Sequence, residues 1–175
     1  RDEMIAEAAR VPADVRNAIR QAARNIAKVA FRQIPRHLDV EVLPGVSIEQ
    51  RVEPLASVGC YVPGGRFPLP SSLLMTAVPA RVAGVRDVIA VCPKPEPAVM
   101  AAALEAGVTR LFRIGGAHAV AALAYGTSTV PRVDKIVGPG NRYVAAAKAR
   151  VSVDCAIDFY AGPTEIVVVA AAGRP

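Results

Sequence analysis

Apolar positions recur along this chain in two different rhythms. From Val11 to Ile34 they follow a helical one, with Val15, Ile19, Ala22, Ile26 and Val29 at intervals of three and four. That spacing predicts one long helix with a single apolar stripe, opened by Pro12 and closed by Pro35. Leu43-Pro44-Gly45 reads as a turn, and Val46 to Val52 and Val58 to Val62 read as short strands with partial alternation. Residues 1–60 thus form part of one domain.

From Tyr61 the rhythm changes to short apolar runs separated by helical stretches of about ten residues. Ser71 or Ser72 can cap a helix that runs to about Ala83, where Gly84 stops it. Asp87 to Cys92 predicts a strand, and Pro95-Glu96 open a helix ending near Ala106 and Gly107. Arg110 to Ile114 is the next strand, followed by Gly115-Gly116 and an alanine-rich helix to about Tyr125. Val133 to Val137, a helix from Asn141 to about Val151, Ala156 to Tyr160 and Ile166 to Ala170 complete the series.

Continuous apolar strands alternating with helices are the mark of a parallel sheet covered on both faces. The fold class is therefore α/β, a Rossmann-like parallel sheet preceded by a long helix and short strands of a second domain. Such sheets bind ligands at the carboxyl ends of their strands. The glycine turns Gly64-Gly65, Gly115-Gly116, Gly138-Pro139-Gly140 and Gly162-Pro163 all fall there. None is a standard phosphate loop, since GxxxxGK[ST] and GxGxxG are both missing. Gly115-Gly116 before a helix could still offer backbone N–H groups to an anion.

Composition narrows the choices. With 53% apolar and 21% charged residues in 175, the sequence is globular and long enough to bury a core. Leu73 to Val85, the most apolar stretch, is broken by Pro79 and Arg81 and is too short for a membrane span. No secretory signal precedes it, so a cytoplasmic protein is expected. The start at Arg1 and the stop at Pro175 after a strand-like run suggest trimming at both ends. A net charge of +6 raises the question of nucleic acid, but the basic residues are scattered and there is no tryptophan. Attraction of an anionic cofactor uses the same charge more simply. Cys60, Cys92 and Cys155 lack metal or redox spacing and read as buried thiols in a reducing compartment, with a catalytic role at Cys155 left open.

Among polar residues, His118 stands out because it lies on the first turn after Gly115-Gly116. A ligand-facing role, by hydrogen bonding or stacking with a nucleotide, is favoured over a core role, and action as a base stays open. His37 reads as a surface residue. Two histidines so far apart, without HExxH, make no zinc cluster. Asn141 serves equally as a helix cap or a cofactor ligand. Tyr61, Tyr143 and Tyr160 read as core or rim, Asp134 and Lys135 as an ion pair or surface pair, and Asp158 and Glu165 as solvent-facing.

The segments Gly59–Gly65, Ala77–Val85, Gly115–Ala124, Val133–Asn141 and Asp158–Glu165 resemble successive signatures of the histidinol dehydrogenase family. They occur in the family's order and near its spacing. The resemblance covers essentially this whole chain and less than half of the usual enzyme. It implies oxidation of the amino alcohol L-histidinol to L-histidine through histidinal, with NAD and zinc, in a homodimer that needs no membrane or nucleic acid. It also implies that Tyr61, His118 and Asn141 bind NAD and that Thr164 touches substrate. The zinc ligands and the Glu-His acid–base pair would follow Pro175, so no catalytic or metal residue is assigned within the chain, which would be inactive alone. Residues 61–163 would be a Rossmann-like NAD-side domain, and 164–175 a return strand into the first domain.

Two positions depart from the family pattern. His118 stands where the family has glutamine, and Thr164 where it usually has serine. Each keeps hydrogen-bonding capacity but changes the shape of the pocket. A paralogue that oxidises another small alcohol, such as a sulfonated diol, therefore stays open. So do a non-catalytic nucleotide-binding module and a purely structural domain.

Overall fold

Helix α1 (Asp2–Ala9) and α2 (Ala13–Gln33) lead into β1 (Leu38–Leu43) and β2 (Val46–Gln50), an antiparallel hairpin. The computed structural model describes residues 1–65, 69–160 and 167. After the hairpin come β3 (Ser57–Tyr61), α3 (Pro70–Val82), β4 (Asp87–Val91), α4 (Pro97–Glu105), β5 (Arg110–Phe112), α5 (Gly116–Tyr125), β6 (Lys135–Val137), α6 (Arg142–Val151) and β7 (Ala156–Ile157). The strand expected over Ile166 to Ala170 lies outside the described residues.

The five strands β3 to β7 pair in parallel, in the order β5-β4-β3-β6-β7. This is the Rossmann-like sheet that the apolar runs predict, and its strand order reverses between β3 and β6. The period-2 geometry of a strand divides the core into two. Val58, Cys60, Val62, Val88, Ala90 and Cys92 face one cluster with α1, α2, α3 and α4. Tyr61, Ile89, Val91 and Ile136 face the other, with α5 and α6. Gly59 lets α5 approach, because a Cβ there would lie 2.9 Å from Leu123. Leu123 is fully buried, worth about 2 kcal/mol in transfer free energy.

Two elements were not foreseen in the sequence. Helix α1 is short and buries only Met4 and Ala8, against α4. Strand β1 precedes the turn at Pro44-Gly45, and every residue of β1 and β2 is exposed. The stripe on α2 also differs from expectation. Ile19, Ala23 and Ala30 are its buried residues, whereas Val29 is 60% exposed. Ala22 and Ile26 of the expected stripe are partly buried against the same cluster, so the stripe holds at Ile19, Ala22 and Ile26 and fails at Val15 and Val29.

Candidate functional site at the carboxyl edge of the sheet

The turns that follow β3, β4, β5 and β6 meet at one edge, and two residues organise them. Pro93, after β4, packs against both neighbouring turns. A Cβ on Gly115 would lie 2.8 Å from its ring, and one on Gly64 would also run into it. Tyr61, at the end of β3, is 4% exposed and serves the turns after β5 and β6. Its hydroxyl accepts a hydrogen bond from the Gly116 N–H at 2.9 Å. Its carbonyl lies where a Cβ on Gly138 would have to go.

Helix α5 starts at this edge without a side-chain cap. Gly116 has φ +67°, and nothing lies within 4 Å of the position its Cβ would take. The helix therefore opens on unoccupied space beside its first-turn N–H groups, which an anion could use. His118 sits on that same turn and is exposed.

Helix α6 starts differently. The Asn141 Oδ1 accepts from the N–H groups of Tyr143 at 3.0 Å and Val144 at 3.1 Å. Asn141 is thus a helix cap, which leaves the Nδ2 donors of its carboxamide for another partner. Gly138, with φ +113°, is held by side chains from beyond the turn. Its N–H donates to Asp158 Oδ2 at 2.8 Å, and its carbonyl accepts from Lys148 Nζ at 3.0 Å. Lys148 also pairs with Asp158 Oδ1.

Asp158 is therefore not the solvent-facing carboxylate expected from its place beside a turn. Its partial burial pushes the carboxyl upward, but the hydrogen bond from Lys148 and those from the N–H groups of Gly138 and Phe159 outweigh this, and the net shift is below the usual carboxylate range. Lys148 was not singled out in the sequence either. The available signal was its place between Val144 and Val151, the buried residues of α6, because a lysine on an apolar stripe needs a partner.

Of the residues expected to bind ligand, Tyr61, His118 and Asn141 all lie at this edge. Tyr61 links the α5 turn that carries His118 to the Gly138 turn that leads to Asn141. Thr164, the Gly162-Pro163 turn and Glu165 lie outside the described residues. Asp134 is neither an ion-pair partner nor a free surface group. Its carboxylate accepts from the N–H and hydroxyl of Ser57 at 2.8 and 2.9 Å and ties β6 to the start of β3. His37 is exposed, with Glu49 at 3.8 Å. Tyr143 and Tyr160 are exposed, and the Tyr160 hydroxyl shares a 2.6 Å hydrogen bond with Ser152 Oγ.

The three cysteines are free and buried. Burial pushes the Cys60 thiol up to about 12 and raises Cys155 as well. The Cys155 thiol donates to the Val133 carbonyl at 3.3 Å. A thiol so placed packs and does not supply a thiolate nucleophile. Among the described residues no group of three His, Cys, Asp or Glu side chains could hold a metal ion. Among them, too, no helix is long and apolar enough to cross a membrane.

The model of the family described as histidinol dehydrogenase matches residues 1–174. Histidinol dehydrogenase of Caulobacter vibrioides is 55% identical over 171 residues, covering 97% of this chain and 40% of its own length. That of Chromobacterium violaceum is 51% identical over 173 residues, with the same two coverages. The crystal structure of histidinol dehydrogenase from Elizabethkingia anophelis superposes with a TM-score of 0.87 at 37% identity, over 93% of this chain and 39% of that one. The chain therefore spans about 40% of the length of the curated relatives it matches.

Proposed function

The chain belongs to the histidinol dehydrogenase family, and from that premise we propose that it forms the cofactor side of an enzyme oxidising L-histidinol to L-histidine. The reaction is a four-electron oxidation through histidinal, in two hydride transfers to NAD. The observation that carries this reading is the meeting of Tyr61, Gly116 and Gly138 where the strand order reverses. Sheets of this kind receive nucleotides at such a crevice.

NAD, when bound, supplies the hydride acceptor. The chain's own residues do the placing. The open space at Gly116 admits an anionic group to the first-turn N–H groups of α5. The Tyr61 oxygen accepts from Gly116, so its hydroxyl hydrogen remains to be donated outward. Asn141 caps α6 through Oδ1 and offers Nδ2 to the cofactor. His118, exposed on α5, hydrogen bonds or stacks against it. Thr164 would contact the alcohol through its hydroxyl.

In this reading the NAD-side domain is 61–163 extended back to Ser57, since β3 is the central strand of its sheet, and the residues before it and 164–175 belong to its neighbour. The exposed hairpin β1–β2 would pack there. The described residues do not fit zinc. The zinc ligands and the acid–base pair would follow Pro175, the isolated chain would be inactive, and the full protein would be a cytoplasmic homodimer.

One observation favours a rival substrate, namely the exposed His118 standing where the family has glutamine. The deciding experiment is NAD reduction by the full-length protein with histidinol, and with a sulfonated diol, in the presence and absence of zinc. Zinc-dependent NADH formation with histidinol is expected. A folded, zinc-loaded protein that reduces NAD only with the diol would transfer the proposal to the paralogue. One that binds NAD yet oxidises neither would favour a binding module.

A further inference from the structure

Lys148 is the one charged side chain fully buried among the described residues, at 6% exposure. Taking an ammonium out of water is costly, and an apolar side chain of similar volume often serves stability as well or better. What an apolar side chain could not do is hydrogen-bond the backbone on both sides of one residue. Lys148 Nζ donates to the Gly138 carbonyl at 3.0 Å while its partner Asp158 accepts from the Gly138 N–H at 2.8 Å. The two ends of one ion pair thus hold both polar groups of the same residue. The pair is itself fixed. Asp158 Oδ1 accepts from the Phe159 N–H at 2.8 Å, and the ammonium lies 5.6 Å from the centre of the Phe159 ring.

Gly138 is also the residue pressed against the Tyr61 carbonyl, and three positions later stands Asn141. The turn between them, stiffened by Pro139, cannot shift at Gly138 without losing its hydrogen bonds to the pair. The same helix holds the exit of β7 twice, through Lys148 to Asp158 and through Ser152 to Tyr160.

We propose that Lys148 and Asp158 are positioning residues that lock the Gly138–Asn141 turn in the geometry that receives the cofactor. They act through the Gly138 backbone N–H and carbonyl and are not assigned any contact with NAD or substrate. The proposal rests on the reading that NAD lies along this edge.

The test is calorimetric titration of the full-length protein with NAD, for wild type, Lys148→Met, Asp158→Asn and the double variant. Circular dichroism and a cooperative melt would establish that each is folded. Each single variant is expected to weaken NAD binding on the order of 10- to 100-fold, the scale of a small misplacement of a binding group. The double variant should be no weaker than the worse single, because both act through one turn. In steady state the loss should appear as a raised KM for NAD, with kcat changed less. If Lys148→Met does not fold, Asp158→Asn decides alone, since it keeps the size and an acceptor for the Gly138 N–H. A folded variant with wild-type NAD affinity would overturn the proposal while leaving the assigned function intact. A wild-type protein that binds no NAD would overturn both.

Discussion

The α5 and α6 turns stand at the same edge, with β4 and β3 between the strands they follow, and are built on opposite plans. The α5 turn has no side-chain cap, holds Gly116 by one neutral hydrogen bond to Tyr61, and opens on space. The α6 turn has its first N–H groups capped by Asn141, and both polar groups of Gly138 are claimed by a buried ion pair. Beyond the Gly116 bond, the first has no capping side chain and faces open space, whereas the second is capped and tied on both sides of Gly138. Backbone N–H groups that already have partners cannot bind an anion, so the proposed function assigns the cofactor's phosphates to the α5 turn and a positioning role to the α6 turn.

The comparison can be broken most forcefully at Lys148. Lys148→Met leaves the Asp158 carboxylate without its cation, and removing one partner of a buried pair costs about 3 kcal/mol or more. Chemical denaturation should show this, whereas the neutral Tyr61→Phe on the α5 side should cost only about 1 kcal/mol. The same pair has a signature in pH. The Asp158 carboxyl titrates below its ordinary value in the fold, so its contribution is fully present above the unfolded-state value. It is lost as pH falls through the lower folded value. Melting temperatures followed into acid should therefore fall less steeply for Asp158→Asn than for wild type.

The glycines sharpen the contrast at smaller scale. At Gly138 an alanine adds left-handed strain to a collision with the Tyr61 carbonyl, and Gly138→Ala should destabilise by about 2–3 kcal/mol. At Gly116 only the backbone strain remains, since the space is open, and Gly116→Ala should cost about 1 kcal/mol. A thermal-melt comparison of the two variants separates crowding from strain. Asn141→Ala is the mildest change on the rigid side, losing a cap worth about 1 kcal/mol.

How far these features can be read from sequence depends on how local their causes are. The parallel strands announce themselves because burial on both faces demands continuous apolar runs such as Val88 to Cys92. The places of His118 and Asn141 follow from glycine turns at strand–helix junctions. The Lys148–Asp158 pair is different, because it joins a helix to a strand exit and exists only once both pack on the sheet. Strand β1 carries a clear alternation of Leu38, Val40 and Val42 with Asp39 and Glu41, but a hairpin exposed on both faces gives that pattern no core to face. Helix α1 offers only Met4 and Ala8 as buried positions, too few for a stripe. The α2 stripe is legible only in part, because Ile19, Ala22 and Ile26 pack on the core as their spacing implies, whereas the strongly apolar Val15 and Val29 are exposed and the weakly apolar Ala23 and Ala30 are buried in their place.

The measurement that tests the central claim most directly is amide hydrogen exchange of the full-length protein with and without NAD. The α6 turn should be protected in both states, and the first-turn amides of α5 around Gly116 and His118 should gain protection when NAD is added. NAD binding that leaves the α5 amides unchanged would contradict the account.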